Sequence, residues 1–148
     1  MRKDVISSLT NKDDKKACAY ANKIISESNI NDSWYSYFDE FASLLNHPKS
    51  LVRNRAIIII ASIIKWDKEH KFDYVIDEYL LHITDDKPIT SRECIKSLVM
   101  IGKDNPKYNV KIVKALKNAD LSKYKDSMRP LIEKDIKESL NALSSIGI

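Results

Sequence analysis

The most distinctive hydrophobic pattern in the chain lies between residues 50 and 65, in the segment SLVRNRAIIIIASIIK. Five of its apolar residues recur at helical spacing and form one stripe: Val52, Ala56, Ile59, Ile60 and Ile63. The remaining isoleucines widen this stripe around most of the helix circumference. The run is long for a strand and far short of the roughly 20 apolar residues that a membrane span needs. The pattern therefore predicts a helix that is buried between two layers.

Turn-forming residues divide the rest of the chain into further helix-length segments. Clusters of helix caps and breakers fall at 29–33, 46–50, 84–91, 102–106 and 119–127. Glycine and proline are otherwise scarce, with two and four residues, which leaves little material for the many tight turns of an all-β fold. The sequence therefore predicts an all-α fold.

Three local patterns predict where individual helices begin and end. Thr90 and Glu93 have the spacing of a capping box at a helix start. Gly102 follows a periodic run, as a helix C-cap does. Pro130 is expected in the first turn of the last helix, where its missing N–H has no intrahelical partner to lose.

A basic residue recurs at nearly constant spacing along the chain. The four positions are separated by 37, 39 and 37 residues: Lys16, Arg53, Arg92 and Arg129. Each stands just inside a predicted second helix, and a first helix precedes it at roughly 4–9, 34–45, 72–83 and 106–117. Internal periods of this kind are typical of helical repeat proteins.

The segment FASLLNHPKSLVRNRAIIIIASII contains a short helix, a proline-containing turn and a second helix that opens Val-Arg-x-x-Ala. This resembles a HEAT repeat, and the chain as a whole is similar to small stand-alone bacterial HEAT-type proteins. The resemblance implies an α-α superhelix of about four HEAT-like helical hairpins in a single domain over residues 1–148. Its approximate repeats are 1–28, 34–65, 72–103 and 106–146.

Equivalent residues of stacked repeats form rows across one face of the stack. The four basic residues form a first row, and a second row follows one helical turn later at Tyr20, Ile57, Lys96 and Glu133. We expect seven of these residues to bind a partner: Lys16, Tyr20, Arg53, Ile57, Arg92, Lys96 and Arg129. In the alternative interpretation, Ile57 packs inward and the basic row caps neighbouring carbonyls or makes salt bridges.

Composition and charge change this picture little. The chain has 25 basic and 21 acidic residues, interspersed along its length, and 43% hydrophobic residues, as in ordinary globular domains. The start of the chain has no apolar segment typical of a signal peptide, so we expect a cytoplasmic protein that does not contact the membrane. Cys18 and Cys94 each stand two residues after a basic-row residue, which predicts equivalent, reduced thiols two repeats apart.

Candidate catalytic and metal-binding residues are few. The three histidines, His47, His70 and His82, are too far apart in sequence to predict a metal site, and no cofactor motif is present. No nucleophile elbow, P-loop or HExxH pattern occurs, so the sequence does not predict an enzyme. Trp66 and Asp67 are interpreted as residues that close a helix and pack between repeats.

Two function classes follow from these observations. The first is a non-catalytic protein-interaction adaptor or scaffold that uses one face of a short helical solenoid. Its partner would be a protein with acidic and apolar surface groups. The alternative is a nucleic-acid-binding or DNA-processing factor that uses the basic row of the same face.

Overall fold

The computed structural model describes residues 2–145, with side chains from residue 4 onwards. Within this part of the chain there are eight α-helices and no strand, which confirms the predicted all-α class. The chain separates into two compact units, one ending at Val75 and the other beginning at Ile76. Residues 1 and 146–148, at the outer ends of the first and last predicted repeats, lie outside the described residues.

The first unit contains two helical pairs: α1 (Arg2–Leu9) with α2 (Asp14–Ser28), and α3 (Phe38–Ser43) with α4 (Ser50–Ile63). The second helices α2 and α4 pack against each other, and α1 packs against α2 and α3. Helix α2 begins with a side-chain cap, because the Asp13 carboxylate accepts hydrogen bonds from the backbone N–H groups of Lys15 and Lys16.

The isoleucine-rich segment forms α4, as predicted, and a 3-10 turn extends it to Trp66. Most of its residues are buried, including all five stripe residues at 0% exposure and isoleucines on other sides of the helix. β-Branched residues have modest helix propensity, so packing on several sides stabilises α4 more than local preference does. This arrangement agrees with a helix surrounded by other elements of its unit.

The second unit contains α5 (Ile76–Leu80), α6 (Pro88–Asp104), α7 (Asn109–Lys117) and α8 (Arg129–Ser144). Helices α6 and α8 pack against each other, and α7 packs against both. Each unit therefore holds two helical pairs whose second helices are in contact. A single superhelix over all four pairs stays a prediction.

Two predicted first helices are broken into short pieces. The segment 34–45 forms 3-10 turns at Tyr35–Tyr37 and Leu44–Asn46 on either side of α3, and 72–83 is divided in the same way around α5. The buried residues of the first segment are Tyr35, Phe38, Phe41, Leu44 and Leu45. The first four recur every three residues, the period of a 3-10 helix, whereas Leu45 follows Phe41 by four residues, as in an α-helix.

The predicted helix ends in the second unit are partly wrong. Helix α6 already begins at Pro88, so Thr90 is a buried residue inside the helix and not its cap. Gly102 also lies inside α6, where a Cβ would collide with the buried side chains of Asn109 and Leu143. The glycine is therefore required for close packing and does not terminate the helix. The first-turn position of Pro130 in α8 is confirmed.

Candidate functional site

The arginines of the predicted basic row all bind groups within their own unit. In the first unit, the Arg53 guanidinium donates hydrogen bonds from Nη1 to the backbone carbonyls of His47, at 2.9 Å, and Pro48, at 3.1 Å. These carbonyls belong to the turn between α3 and α4. Arg53 therefore stabilises the turn that precedes its own helix.

Arg92 on α6 forms an ion pair with Asp135 on α8. The distance from Arg92 Nε to Asp135 Oδ2 is 2.6 Å, and the Asp135 side chain is only 5% exposed, against 30% for Arg92. Hydrogen bonding to Asp135 is the main cause that raises the pKa of Arg92. The pair joins the two second helices of the unit and neutralises the charge of this row position.

Arg129 at the start of α8 stabilises the loop before it. Its guanidinium donates hydrogen bonds to the backbone carbonyls of Tyr124, at 2.7 Å, and Leu121, at 3.4 Å, and it forms an ion pair with Asp126 at 2.9 Å. All three row arginines thus bind nearby carbonyls or carboxylates. This agrees with the alternative interpretation, in which the basic row caps carbonyls or makes salt bridges.

Burial shows that Lys16 is not equivalent to the three arginines. Three residues after each arginine comes a buried residue of the second helix: Ala56, Ile95 and Ile132. The residue three after Lys16 is Ala19, which is exposed, whereas buried Ala17 lies three after Asp14. Asp14 therefore holds the arginine position in α2, and the predicted first repeat was aligned two residues too late.

The same correction applies to the second row and to the cysteines. Ile57 is 0% exposed and belongs to the core, so it does not present an apolar anchor to a partner. In the corrected alignment Cys18 matches Ile57, not Cys94. Cys18 is exposed and Cys94 is fully buried, so the predicted equivalence of the two thiols is wrong. Lys96 and Glu133 are exposed, as a surface row requires.

Lys96 lies beside acidic groups in the second unit. A shallow groove of about 240 Å³ is lined by residues of α6 and α8, including Lys96, Asp135 and Glu138. Glu138 is also among the charges that raise the pKa of Arg92. Two basic and two acidic side chains therefore lie close together here, and this part of the predicted row carries no excess of positive charge.

Tyr20 belongs to an aromatic cluster that the sequence did not reveal. Its ring meets Trp34 edge-on with 6.1 Å between centroids, and Trp34 lies 5.5 Å from Tyr37. The indole N–H of Trp34 donates a 2.8 Å hydrogen bond to Glu27, which fixes the ring. All three rings are partly exposed, and burial is the main cause that raises the pKa of Tyr20.

The cluster lies where α2 meets the 3-10 turn Tyr35–Tyr37. Lys16, Tyr20, Lys23 and Glu27 follow one another at helical spacing along α2, so they share a face. We use the name aromatic surface for Lys16, Tyr20, Trp34 and Tyr37. The spacing of Tyr20 and Glu27 along α2 is visible in the sequence, but the approach of Trp34 to both depends on the turn between α2 and α3.

Trp66 and Asp67 have the structural role that was predicted from the sequence. The Trp66 indole N–H donates a 2.7 Å hydrogen bond to the Ser28 carbonyl at the end of α2. The Asp67 carboxylate accepts hydrogen bonds from the Tyr35 hydroxyl, at 2.5 Å, and from the backbone N–H groups of Lys71 and Phe72. Burial, followed by the hydrogen bond to Asp67, raises the pKa of Tyr35. These residues tie the end of the first unit to its core.

Two of the histidines make local contacts within their own loops. His47 Nδ1 accepts a hydrogen bond from the Lys49 backbone N–H, and His82 Nδ1 lies 2.7 Å from the Asp85 carboxylate. Among residues 4–145 there is no group of three or more His, Cys, Asp or Glu side chains that could hold a metal ion. None of the helices described is both long and apolar enough to cross a membrane.

No protein-family model, curated protein or solved structure matches this chain. The chain is an all-helical protein over the described residues, and each of its two units contains two helical pairs. Membership of the HEAT-repeat family stays a prediction from the sequence.

Proposed function

We propose that the chain is a non-catalytic protein-interaction adaptor that binds its partner through the aromatic surface of the first unit. The observation that carries this proposal is the contact of three partly exposed aromatic rings, Tyr20, Trp34 and Tyr37, held in place by the Trp34–Glu27 hydrogen bond. Tyrosine and tryptophan side chains contribute most of the energy in many interfaces, because they bury a large area at little cost in conformational entropy.

Charge supports a partner with acidic groups beside its apolar ones. Lys16 lies one turn before Tyr20 on α2, Lys23 lies one turn after it, and both are exposed. Two acidic groups act on Tyr20: Asp4 is exposed, whereas Glu27 accepts the Trp34 N–H and is only partly exposed. A partner that places an apolar side chain on the rings and a carboxylate near each lysine would match this surface.

The basic row is a weaker basis for function. Its arginines at positions 53, 92 and 129 bind groups of their own unit, as described above. A partner would have to replace those contacts to bind there, at the cost of desolvating the groups left behind. For the same reason, no specific observation favours a nucleic-acid site on this row.

The test compares a surface variant with a matched control. Lys16→Glu combined with Tyr20→Ala removes the basic neighbour and one ring of the aromatic surface. Tyr74→Ala removes a tyrosine of the same unit that is 91% exposed and outside the cluster. Wild-type and variant proteins would be used to capture partners from nuclease-treated extract of the source cells at low and high salt.

We expect the double variant to stay helical and to bind the purified partner at least tenfold more weakly, whereas Tyr74→Ala binds as the wild type does. In a Trp66→Phe background Trp34 is the only tryptophan, so partner binding should shift its fluorescence emission. A folded double variant that retains full affinity would show that the partner binds elsewhere.

A further inference from the structure

The solvent-facing side of α7 carries one sign of charge. Its buried residues are Asn109, Ile112 and Leu116, and Tyr108 is buried immediately before it. At 100° per residue, the opposite side of the helix presents five exposed residues: Lys107, Val110, Lys111, Lys114 and Lys117. We call these the lysine face. Lys107 lies in the 3-10 turn Pro106–Tyr108, which leads directly into α7.

The lysine face accounts for the net charge of the whole protein. Residues 105–119 contain four lysines and no acidic residue. The chain has 25 basic residues, so the other 21 balance its 21 acidic residues and leave the remainder neutral. Helix α8 is different, because its exposed side carries both signs and Lys134 pairs with Glu138 at 3.7 Å. Residues 105–119 are thus a concentration of positive charge with no acidic residue among them.

Helix stability does not explain this concentration. Lysines near a helix C-terminus interact favourably with the helix dipole, which applies to Lys114 and Lys117. Lys107 and Lys111 stand near the N-terminal end, where the dipole disfavours a cation. The lysines also repel one another at spacings of three and four residues. Lys111 pairs with Asp77 at 2.8 Å, but both side chains are at least half exposed, so water screens this pair.

The chemistry of the lysine face excludes two kinds of partner. Protein interfaces are typically depleted in lysine and enriched in aromatic residues, whereas this face has four lysines and one valine. Helices that lie in a membrane surface insert a broad apolar side, and the apolar residues Ile112 and Leu116 of α7 are at most 1% exposed inside the unit. What remains is a partner with closely spaced negative charges and no need for apolar contact.

We infer that the lysine face binds the phosphate backbone of duplex nucleic acid. Duplex DNA presents about one negative charge per 1.7 Å of its axis, and flexible lysine side chains can reach phosphates without reading the bases. Binding of single strands relies on exposed aromatic residues that stack on bases, and Tyr108, the one aromatic residue in this segment, is 6% exposed. The face therefore fits a duplex bound without sequence preference.

This inference goes beyond the proposed adaptor function, because it concerns another surface, in the other unit. The two are tested with different variants, so either can fail alone. If both hold, the chain connects a protein partner to nucleic acid.

The experiment measures binding of a fluorescently labelled DNA duplex by anisotropy as salt is raised. Lys107→Gln, Lys114→Gln and Lys117→Gln are combined in one variant that leaves the Lys111–Asp77 pair intact. The control combines Lys12→Gln, Lys15→Gln and Lys137→Gln, which are exposed lysines outside the face. Both variants lose three positive charges, but from different parts of the surface.

We expect wild-type affinity to fall about a hundredfold between about 50 and 200 mM salt, because four lysines give a log–log slope of roughly −3 to −4. The face variant should lose most of this affinity and show a slope near about −1, whereas the control keeps a slope close to the wild-type value. Circular dichroism verifies that both variants fold.

Three results would overturn the inference: no duplex binding by the wild type at low salt, equal losses in both variants, or equally tight binding of polyglutamate. Vesicles with anionic lipid headgroups serve as the remaining probe. Binding to these vesicles without binding to the duplex would also overturn it.

Discussion

Within each unit, an ion pair joins the two second helices, but the buried member of the pair differs between the units. In the first unit the cation is buried: the Arg55 side chain on α4 is 8% exposed, and it lies 3.0 Å from Asp14, which is 47% exposed. In the second unit the anion is buried, because Asp135 is 5% exposed and its partner Arg92 is 30% exposed. The same kind of contact thus places opposite charges inside the two units.

This difference determines how much stability each unit loses when the exposed partner of its ion pair is removed. Arg55 also donates a 2.9 Å hydrogen bond to the Leu9 carbonyl, so part of its hydrogen bonding survives without Asp14. Both hydrogen bonds that reach the Asp135 carboxylate come from Arg92. A buried carboxylate without its cation is costly, so the second unit depends more on its exposed partner.

Thiol labelling should show the largest difference between the units. Cys18 is exposed, whereas Cys94 is fully buried, and burial raises the pKa of its thiol well above the ordinary value. We expect Cys18 to react with a thiol reagent in the native protein at least about a thousandfold faster than Cys94, whose labelling requires opening of the second unit. Comparable rates for the two thiols would contradict the burial of Cys94.

Arg92→Gln should cause the largest loss of stability. It leaves Asp135 buried without a cation, at a cost of about 2–3 kcal/mol, below the fully buried range because Arg92 is partly exposed. Urea unfolding followed through Cys94 labelling reports on the second unit, while Trp34 and Trp66 fluorescence reports on the first. If the units unfold separately, only the unfolding curve measured by Cys94 labelling should change.

A second substitution distinguishes the ion pair from general damage. Adding Asp135→Asn to Arg92→Gln removes the unpaired charge and should restore part of the lost stability. If the double variant is as unstable as the sum of two single losses, the two residues do not act as a pair.

Arg53→Gln should have a smaller effect in the first unit. The variant loses two hydrogen bonds to carbonyls of a surface turn, which water can replace, so we expect a loss of about 1 kcal/mol. Tryptophan fluorescence during urea unfolding measures it. A loss as large as that of Arg92→Gln would mean that Arg53 also compensates a buried charge.

Asp14→Asn should have the smallest effect, and it should depend on pH. Hydrogen bonds from Lys49 and then Arg55 lower the pKa of Asp14 in the folded protein. Its contribution to stability is therefore complete above the ordinary carboxyl pKa and disappears as pH falls through the lowered value. Urea unfolding at several pH values should show the variant less stable than the wild type at neutral pH and equally stable in strong acid, and a difference that persists in strong acid would contradict this role of Asp14.

The sequence alone determined the helical class and the position of the main helices. The isoleucine run predicted α4 because helical periodicity is a local property that needs no knowledge of the partner elements. The punctuation between segments likewise placed the four helical pairs, since turns and breakers act within a few residues. The period of the basic residues located the second helices, although it misaligned α2 by two positions.

Tertiary structure decided what the polar residues do. Arg92 and Asp135 are 43 residues apart, and no local pattern indicates that they meet or which of them is buried. Gly102 resembles a helix cap in the sequence, yet its role comes from the side chains of Asn109 and Leu143 that pack against it. The aromatic surface depends in the same way on the turn that brings Trp34 to Tyr20. Periodicity identifies which residues point inward, whereas hydrogen bonds and ion pairs depend on distances that only the packed helices establish.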